Sequence, residues 1–407
     1  MRIVCVGGGP AGLYFAIAAK RRDAGHDITV IERDPPGATY GWGIACRDSR
    51  NCLLDVLYHH DAQSARQVRA AAVLWQGRQV RLRGEQTGYL GHFGFGLSRA
   101  TLLDILARRA TELGVDVQHR RQVDDLSAFA DADLVVASDG ANSRTRQLYG
   151  EHFGTRVTVG RNRYIWLGTD KVFTDFTFAF EETPAGWIWL YAYPSSTGFS
   201  TCVVECSPET WEGLGFGSGD SADSVGQLEK IFEHVLDGHG LISQSRGEPA
   251  RWLRFTQVYN QTWYHNNVVL MGDAAHTTHF TLGAGTKLAI SDAVDLAQSL
   301  FKHSELSVAL RAYDQRRRAA LHPRQGASRT SMAWFEQVDR YLDHDVVDFS
   351  YAFSTRRGNQ QPWRYQKHLA SQIPALRAVQ RRFNSGRRWY LAVRRGESAL
   401  IPTKRTP

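Results

Sequence analysis

The chain has 407 residues, of which 43% are hydrophobic and 22% are charged, a composition typical of a globular protein with two domains. No uninterrupted apolar stretch reaches the roughly 18 residues that a membrane-spanning helix needs, so we expect no membrane association. The formal net charge is +8, but residues 380–407 alone carry +7 of it, and the nearly neutral remainder argues against a nucleic-acid-binding surface.

The first forty residues predict a βαβ unit. A β-branched run ends at Val6, a glycine turn and a helix follow to Lys20, and a second strand covers Ile28 to Ile31. The apolar run after Arg2 superficially resembles a secretion signal, but Gly7-Gly8-Gly9-Pro10 interrupts it, so a strand, turn and helix fit better. The five cysteines include no CxxC pair and indicate reduced thiols in a cytoplasmic protein.

Further along the chain, helices and strands alternate around one long β-rich stretch. A helix is predicted from about Arg99 to Gly114, and a buried strand ends at a turn formed by Asp139. Between residues 164 and 205 the pattern changes to strand-like alternation, which indicates an inserted β-sheet domain. After another strand, the chain is mostly helical, with helices predicted over 284–302, 305–340 and 362–383.

This order predicts an α/β fold: a Rossmann-like nucleotide-binding domain with an inserted β-sheet substrate domain and a helical C-terminal segment. The expected limits are 1–75, 96–163 and 253–325 for the first domain, 76–95 and 164–252 for the second, and 326–407 for the C-terminal segment with its basic tail. The tail suits nucleic acid, an acidic protein, a phosphorylated substrate or nothing specific. Its interleaved aromatic residues indicate that part of it packs as a helix.

The first glycine turn predicts a dinucleotide site. Gly7, Gly9 and Gly12 follow a strand and open a helix, and Glu32 stands at the end of the second strand. These positions suit a tight turn, close backbone approach to a pyrophosphate, helix-to-sheet packing and an acid for ribose hydroxyls. The acid at position 32 favours FAD or NAD over NADP.

Two later turns also follow strands. Asp139-Gly140 stands where open α/β sheets bind ligands, although alone it would be an ordinary turn. The stretch "MGDAAHTTHFTLGAGTKLAI" holds Asp273, His276 and His279, which could be metal ligands. Because no further carboxylate or cysteine completes such a set, we favour the alternative without a metal. Asp273 then bonds a sugar alcohol, and the N–H groups of residues 283–287 face an anion or an electron-rich ring.

The combination of "GGGPAG", "DLVVASDGANSR" and "GDAAH…GAGTKLAISDAVDLA", in this order, resembles the class A flavoprotein monooxygenases of the para-hydroxybenzoate hydroxylase type. The resemblance runs from residue 1 to about residue 350. It implies that the protein binds FAD, consumes NAD(P)H transiently, and hydroxylates an electron-rich aromatic ring through a flavin C4a-hydroperoxide.

The resemblance also implies where FAD would bind. The ADP half would lie on the first turn, the adenosine and pyrophosphate side on Arg99, the ribityl or pyrophosphate region on Asp273, and the isoalloxazine on the turn before the helix at 284. Asp139-Gly140 would serve both FAD and the nicotinamide cofactor. The predicted cofactor-binding residues are Gly7, Gly9, Gly12, Glu32, Arg33, Arg99, Asp139, Gly140, Asp273, Gly283, Gly285, Thr286 and Lys287.

Several segments depart from the general family pattern. Phe280 stands where most members have a proline, and "TYGWGIACRD" replaces the usual arginine-bearing flavin loop. The segments "WLGTDK" and "GTKLA" resemble a narrower branch that contains salicyloyl-CoA and anthraniloyl-CoA hydroxylases and the violacein-pathway tryptophan hydroxylase. An aryl thioester of coenzyme A or a carrier protein is therefore the expected substrate, with O2 as co-substrate, in a monomer or homodimer. Free tryptophan or indole is the alternative substrate.

The candidate general base is His279, which lies in the flavin-facing turn, although it could equally hydrogen-bond the backbone. His92, in a glycine-rich loop, is an alternative base. The predicted substrate pocket comprises an aromatic strand face and one neighbour of His279; these residues are Trp187, Trp189, Tyr191, Tyr193 and Phe280. Such a face could equally be plain core.

Two other classes of protein share some of these sequence features. A flavin oxidoreductase that inserts no oxygen, such as a dehydrogenase or halogenase, would keep the same cofactor turns. "WIWLYAYP" has the WxW of a halogenase but lacks the lysine and the rest of that motif. A pure binding module is disfavoured because three cofactor turns are intact.

Overall fold

The computed structural model describes residues 1–38, 42–84, 86–217, 221–245, 248–358 and 361–397. The strands are β1 (Arg2–Val6), β2 (Asp27–Ile31), β3 (Gly43–Arg47), β4 (Val73–Trp75), β5 (Arg78–Leu82), β6 (Gln86–Tyr89), β7 (Gly94–Ser98), β8 (Asp116–Gln118), β9 (Leu134–Ala137), β10 (Arg156–Thr169), β11 (Phe176–Thr183), β12 (Gly186–Pro194), β13 (Ser200–Cys206), β14 (Leu241–Ile242), β15 (Gln244–Ser245), β16 (Glu248–Pro249), β17 (Leu253–Tyr259), β18 (Tyr264–His265) and β19 (Val268–Leu270). The helices are α1 (Pro10–Lys20), α2 (Leu53–His60), α3 (Ala62–Ala71), α4 (Arg99–Glu112), α5 (Arg144–Leu148), α6 (Gly150–Phe153), α7 (Pro208–Gly213), α8 (Ser221–Ile231), α9 (Glu233–Leu236), α10 (Gly285–Lys302), α11 (Leu306–Glu336), α12 (Val346–Thr355), α13 (Pro362–Gln372) and α14 (Pro374–Arg394).

The chain forms two compact units. Unit 1 comprises Met1–Tyr40, Arg99–Arg161 and Arg254–Ala333. Unit 2 comprises Gly41–Ser98, Asn162–Leu253 and Trp334–Pro407.

Unit 1 contains a sheet with the strand order β18-β19-β9-β1-β2-β8. All neighbours from β19 to β8 are parallel, and the short β18 is antiparallel to β19. Starting from β1, the strands β2 and β8 are added in chain order on one side of it, and β9 and β19 are added on the other side. This reversal beside β1 is the strand order of a Rossmann-like fold, and ligands bind where the order reverses. The predicted α/β fold class is confirmed.

The register of this sheet brings the ends of its central strands together. Val6 pairs with both Ile31 and Ala137, and Ala137 pairs with Leu270. Each of these four residues is the last of its strand, and the residue after it begins one of the turns described below. Because parallel strands have their carboxyl ends at the same edge, the turns after β1, β2, β9 and β19 all lie along one edge of the sheet.

Helix α1 is buried on nearly every side, since Ala11 to Ala19 are all inaccessible. It packs against α4 and α10. A Cβ atom at Gly272 would lie 3.0 Å from the Cβ of Ala11 and 3.5 Å from that of Ala289, so a small residue is needed where the turn passes between the helices. The turn after β19 is thus fixed against α1 and α10.

Unit 2 is built on a sheet with the strand order β14-β10-β13-β12-β11-β5-β6. The central strands are antiparallel, whereas β5 pairs in parallel with β11. One face of this sheet packs against α8 and α9 in a core that includes Leu190, Val204, Leu228 and Phe232. A second antiparallel sheet, β3-β7-β4, lies in the same unit.

The two units divide the chain differently from the predicted limits. Residues 41–75, expected with the nucleotide-binding domain, group with unit 2 because β3 and β4 both pair with β7. The limit predicted at residue 325 falls inside α11, which continues to Glu336. Residues from Trp334 onward group with unit 2 rather than forming a separate segment.

The helix predicted over 362–383 is two helices, α13 and α14, and this prediction was wrong. Pro374 opens α14, and Ile373 before it is extended, with φ −77° and ψ 121°. A proline has no amide hydrogen to donate and excludes the preceding residue from helical geometry, so the chain must break there. Of the basic tail, Lys404 and Arg405 lie outside the described residues.

All five cysteines are free and buried. Burial raises the pKa of Cys5, Cys202 and Cys206 above the ordinary value of a thiol. In the described part of the chain, no helix is both long enough and apolar enough to cross a lipid bilayer.

Candidate functional site

The first turn of unit 1 has the geometry of a phosphate-binding loop. Gly7 has φ +107°, and a Cβ there would lie 2.5 Å from the carbonyl oxygen of Ser138. A Cβ at Gly12 would collide with the carbonyl oxygen of Gly7. Around Gly9, by contrast, no described atom lies within 4 Å of the Cβ position. The outer glycines are therefore required by packing within the fold, whereas Gly9 leaves open space at the N-terminus of α1.

Glu32 lies beside this loop at the end of β2. Its Oε2 accepts a hydrogen bond from the backbone N–H of Gly8 at 2.7 Å, and its Oε1 accepts one from that of Asp34 at 3.0 Å. An ionised carboxylate has further acceptor capacity, so Glu32 can also accept from hydroxyl groups. Arg33, the next residue, is exposed, and its Nε lies 3.7 Å from Asp34 Oδ2.

The second turn, after β9, presents an unsatisfied carboxylate oxygen. Asp139 Oδ2 accepts hydrogen bonds from the backbone N–H and the hydroxyl of Thr145 at 3.1 and 3.3 Å. Its Oδ1 is buried and has no partner among the described atoms. Gly140 follows with φ +84° and open space at its Cβ position. A buried acceptor without a donor is unfavourable, so this turn is suited to a ligand that supplies one.

Arg146, which sequence reasoning missed, joins the second turn to the third. Its Nη2 donates to the carbonyl oxygen of Ala141 at 2.6 Å and its Nη1 to that of Ala274 at 3.0 Å. Only 3% of the residue is exposed. The arginine in "ANSRTR" was visible in the sequence, but nothing indicated that its partners would be backbone carbonyls in two separate turns.

The third turn places Asp273 near Arg99. Asp273 is in a short 3-10 helix, Gly272–Ala274, and remains accessible. Desolvation by the surrounding protein raises its pKa, while the charges of His276 and Arg99 act in the opposite direction. The structure thus brings together two predicted site residues that are far apart in the chain. An accessible carboxylate beside a guanidinium can bind a hydroxyl or a phosphate group at this edge.

The buried carboxylate of Asp292 holds this turn in place. Its Oδ2 accepts from His276 Nε2 at 2.7 Å and from the backbone N–H of Gly272 at 3.1 Å, and its Oδ1 accepts from Arg317 Nε at 2.7 Å. Burial alone would raise the pKa of Asp292, but His276 and Arg317 outweigh burial and lower it. The imidazole of His276 also stacks on Trp263, with ring centroids 4.9 Å apart.

Residues 283–287 form the N-terminus of α10. Gly283 has φ +59°, and Ala284 caps the helix without a side-chain hydrogen bond. No described atom lies within 4 Å of the Cβ position of Gly285. The first N–H groups of an α-helix have no partner within the helix, so those of Gly285, Thr286 and Lys287 can face an anion or a polar ring edge.

His279 and Phe280 lie between the third turn and α10. The Nδ1 of His279 is 2.8 Å from the hydroxyl of Thr281, and its backbone N–H donates to Ser328 Oγ at 2.7 Å. The imidazole also stacks on Phe280, with ring centroids 4.3 Å apart, and contacts Phe255 edge-on. His279 is 3% exposed and its ring is held in a defined orientation.

The two histidines of the third turn have different partners, since His276 is bonded to Asp292 and His279 to Thr281. Across the described residues, no group of three histidine, cysteine, aspartate or glutamate side chains has the arrangement of a metal site.

The aromatic face predicted as a substrate pocket lies on β12 in unit 2. Trp189 stacks on Phe335 at 6.0 Å, and Tyr191 contacts the same ring edge-on at 5.5 Å. Both residues are at most 3% exposed. Tyr193 donates a hydrogen bond to the carbonyl oxygen of Gly43, and Trp187 is half-buried. Trp189 and Tyr191 therefore pack as core, and whether the face binds a substrate stays a prediction.

The same face carries a buried polar network that the sequence did not predict. The indole Nε1 of Trp189 donates to the Tyr191 hydroxyl at 2.8 Å, and that hydroxyl donates to Glu205 Oε2 at 2.6 Å. Asn162 Nδ2 donates to the other oxygen of Glu205 at 2.8 Å. Burial raises the pKa of Glu205 to about 7, although these hydrogen bonds act in the opposite direction.

Comparison with known proteins identifies the family. A family model described as an FAD binding domain matches residues 93–322, more than half of the chain, and an NAD(P)-binding Rossmann-like model matches residues 5–53. Salicyloyl-CoA 5-hydroxylase from a Streptomyces species is 35% identical over 367 residues, which cover 88% of this chain and 70% of that protein. The chain belongs to the FAD-dependent aromatic monooxygenases.

Other members of the FAD-dependent aromatic monooxygenases extend the comparison. The 3-hydroxy-4-methyl-anthranilyl-[aryl-carrier protein] 5-monooxygenase of Streptosporangium sibiricum is 35% identical and covers 89% of this chain and 96% of that protein. Protodeoxyviolaceinate monooxygenase of Chromobacterium violaceum is 27% identical, covering 89% and 96%. The solved structure of 2-methyl-3-hydroxypyridine-5-carboxylic acid oxygenase has a TM-score of 0.63 at 21% identity, covering 88% and 93%, and shows the shared fold. The predictions of an FAD- and NAD(P)H-dependent monooxygenase are confirmed.

Replacement of Asp292 tests the buried ion pairs of this monooxygenase. Asp292→Asn leaves Arg317 with only the partly exposed Asp295, 3.2 Å from its Nη1, as a counter-charge. We therefore expect the free energy of unfolding to fall by about 3 kcal/mol near neutral pH. Because the pKa of Asp292 is lowered by folding, its contribution is present above the ordinary value of 3.8 and is lost as the pH falls below it. The difference from wild type should therefore shrink in acid, as urea denaturation at several pH values would measure.

The control is Asp131→Asn, which removes an exposed carboxylate paired with Arg2. We expect its effect to stay below about 1 kcal/mol at every pH. An Asp292→Asn variant as stable as Asp131→Asn near neutral pH would contradict the assigned role.

Proposed function

We propose that this monooxygenase hydroxylates an aromatic ring presented as an aryl thioester of coenzyme A or of a carrier protein. The observation that carries the proposal is that two relatives at 35% identity are named for such substrates, one a salicyloyl-CoA and the other an anthranilyl-[aryl-carrier protein]. The buried free cysteines suit action in the cytoplasm, where thiols stay reduced.

We propose that FAD lies along the carboxyl edge of the unit 1 sheet. The ADP half would lie on the first turn and Glu32 with Arg33, the pyrophosphate side on Arg99 and Asp273, and the isoalloxazine at Gly283 to Lys287. Three features support this placement: the open space at Gly9, the open space at Gly285 and the unpartnered Oδ1 of Asp139. Once reduced by NAD(P)H, bound FAD supplies the activation of O2.

Gly9 and Gly12 give a matched test of this placement. Gly9→Ala puts a methyl group into space that the pyrophosphate would occupy, so we expect FAD affinity to fall at least about tenfold while the apoprotein keeps its melting temperature. Gly12→Ala forces a methyl group onto the carbonyl of Gly7 and should lower the stability of the apoprotein itself. Flavin fluorescence quenching and thermal unfolding measure the two effects.

Gly326→Ala is the control, since this glycine lies inside α11 with open space at its Cβ position. It should stabilise the protein by about 0.5–1 kcal/mol and leave FAD binding unchanged. The placement fails should Gly9→Ala bind FAD as tightly as Gly326→Ala.

We propose His279 as the base that removes the proton from the phenol or aniline of the substrate. Its ring is fixed by Thr281 and stacked on Phe280, and Thr281 is bonded in turn to Ser331 at 3.0 Å. A base held in one orientation loses little entropy in the reaction, which favours proton transfer. The chain of Ser331, Thr281 and His279 would then hold the imidazole in one orientation.

Substitution at His279 separates this role from a structural one. His279→Asn should lower the rate of hydroxylation by about 10²- to 10⁴-fold and remove the acid limb of the pH–rate profile. Thr281→Val, which removes only the orienting hydroxyl, should lower the rate less and keep that limb. The test is product formation against pH by mass spectrometry. A His279→Asn variant that loses stability but keeps both rate and profile would assign the residue to the fold.

The substrate class is tested by comparing salicyloyl-CoA with free salicylate. We expect the thioester to accelerate NAD(P)H oxidation and to yield a product heavier by one oxygen. Free salicylate should do neither, because it lacks the coenzyme A group that the protein is proposed to recognise. Turnover of free tryptophan would instead assign the alternative substrate. Oxidation of NAD(P)H with every substrate, but never with oxygen insertion, would contradict the proposal.

A further inference from the structure

A small pocket in unit 2 is lined by basic residues from separate parts of the chain. Arg47 ends β3, His92 lies in the loop before β7, and Arg387 belongs to α14; all three line the pocket, together with Phe93. No sequence motif connects these residues, so only the fold assembles them.

The neighbouring charges that act most strongly on His92 are positive. Burial and then four neighbouring cations lower the pKa of this imidazole to about 2, so it is neutral at physiological pH; the cations are Arg78, Arg47, Lys367 and Arg387. Arg78 stands close to further cations, and burial together with their charges lowers its pKa to about 9. Its Nε is buried without a hydrogen-bond partner among the described atoms. Like charges held this close repel one another, and an anion would relieve the repulsion.

The one carboxylate that lines the pocket is already neutralised. Asp48 Oδ1 lies 2.6 Å from Nη2 of Arg395, a residue that also pairs with Asp55 and Glu397. The side chains of Arg47 and Arg387, by contrast, make no hydrogen bond or ion pair within the described ranges. Two guanidinium groups at this pocket therefore remain available to an anion from solution.

His92 adds a neutral donor to these cations. Its backbone has φ +66°, directly after Gly91 at φ +63°, and the left-handed region is unfavourable for a residue with a side chain. A neutral imidazole can donate one N–H while the guanidinium groups form paired hydrogen bonds with oxygens. This donor set suits a phosphate better than a single carboxylate, because a phosphate offers more oxygens and more charge.

We propose that this pocket binds the phosphate of a phosphopantetheine arm, the group through which an acyl substrate is attached to coenzyme A or to a carrier protein. The inference rests on the proposed function, because only a thioester substrate of that kind carries the phosphate. It assigns a binding role to Arg47, His92 and Arg387, and it replaces the expectation that His92 acts as a base. The pocket would bind the phosphopantetheine phosphate of the substrate, not the ring that is hydroxylated.

The test is calorimetric titration of the FAD-loaded full chain with coenzyme A. The double variant Arg47→Ala, Arg387→Ala should weaken binding by about tenfold or more, since each charged hydrogen bond contributes about 1.5–3 kcal/mol. Arg387→Ala alone is compared with Arg382→Ala, the matched control, which removes the same single charge from an exposed position of the same helix and should leave affinity unchanged. Both replaced arginines are exposed, and melting temperatures would establish that the variants fold.

Two further ligands identify the group that is bound. Pantetheine, which lacks the phosphate, should bind wild type at least about tenfold more weakly than coenzyme A. If 4′-phosphopantetheine binds as tightly as coenzyme A, the phosphate shared with carrier proteins is sufficient; if it binds more weakly, the nucleotide phosphates of coenzyme A also contribute. Both of these results support the site. Equal binding of pantetheine and coenzyme A, or equal affinity in the double variant and in Arg382→Ala, would overturn it.

Failure of this inference can be distinguished from failure of the proposed function. A double variant that hydroxylates salicyloyl-CoA with unchanged KM would refute the pocket and leave the proposed reaction standing. Tight, arginine-dependent binding of coenzyme A without hydroxylation of any thioester would support the pocket and refute the proposed substrate.

Discussion

The carboxylate of Asp292 is the contact on which the geometry of unit 1 depends. It accepts hydrogen bonds from a backbone amide, an imidazole and a guanidinium at once, and it is completely buried. A buried anion is tolerated only when its oxygens are satisfied, so the turn after β19, helix α10 and helix α11 must keep their relative positions. Arg146 applies a similar constraint by joining that turn to the one after β9. A ligand site at this edge therefore has its shape before any ligand arrives.

The sequence predicted the parts of unit 1 that depend on local patterns. Gly7, Gly12 and Glu32 are recognisable because a strand, a turn, a helix and an acid follow one another at fixed spacing, and the structure places them as that spacing requires. The order of the three turns was readable for the same reason. The residues that connect these turns could not be predicted in this way. Arg146 and Asp292 form hydrogen bonds with backbone atoms distant in the chain, and nothing in the spacing of the sequence indicates such partners.

Unit 2 shows where a pattern has two readings. Alternating aromatic residues on β12 predict a strand with one aromatic face, and this is what forms, but the pattern does not say what covers that face. Phe335 of α11 covers part of this face. The sequence predicted this helix but not the surface against which it packs. The compact units also differ from the predicted limits around residues 41–75, since the pairing of β3 and β4 with β7 is non-local. Composition located positive charge near the C-terminus, yet the ion pairs of Arg395 with Asp48 and Asp55 follow only from the fold.

The cysteines have a consequence for the durability of the protein. Flavin monooxygenases release hydrogen peroxide whenever oxygen activation is not followed by transfer to a substrate, and peroxide oxidises thiolates, not protonated thiols. Cys5, Cys202 and Cys206 are enclosed in strands, and burial keeps them protonated by raising their pKa. These three positions thus present almost no thiolate to the oxidant. Oxidative damage during uncoupled turnover should therefore fall on groups other than these three thiols.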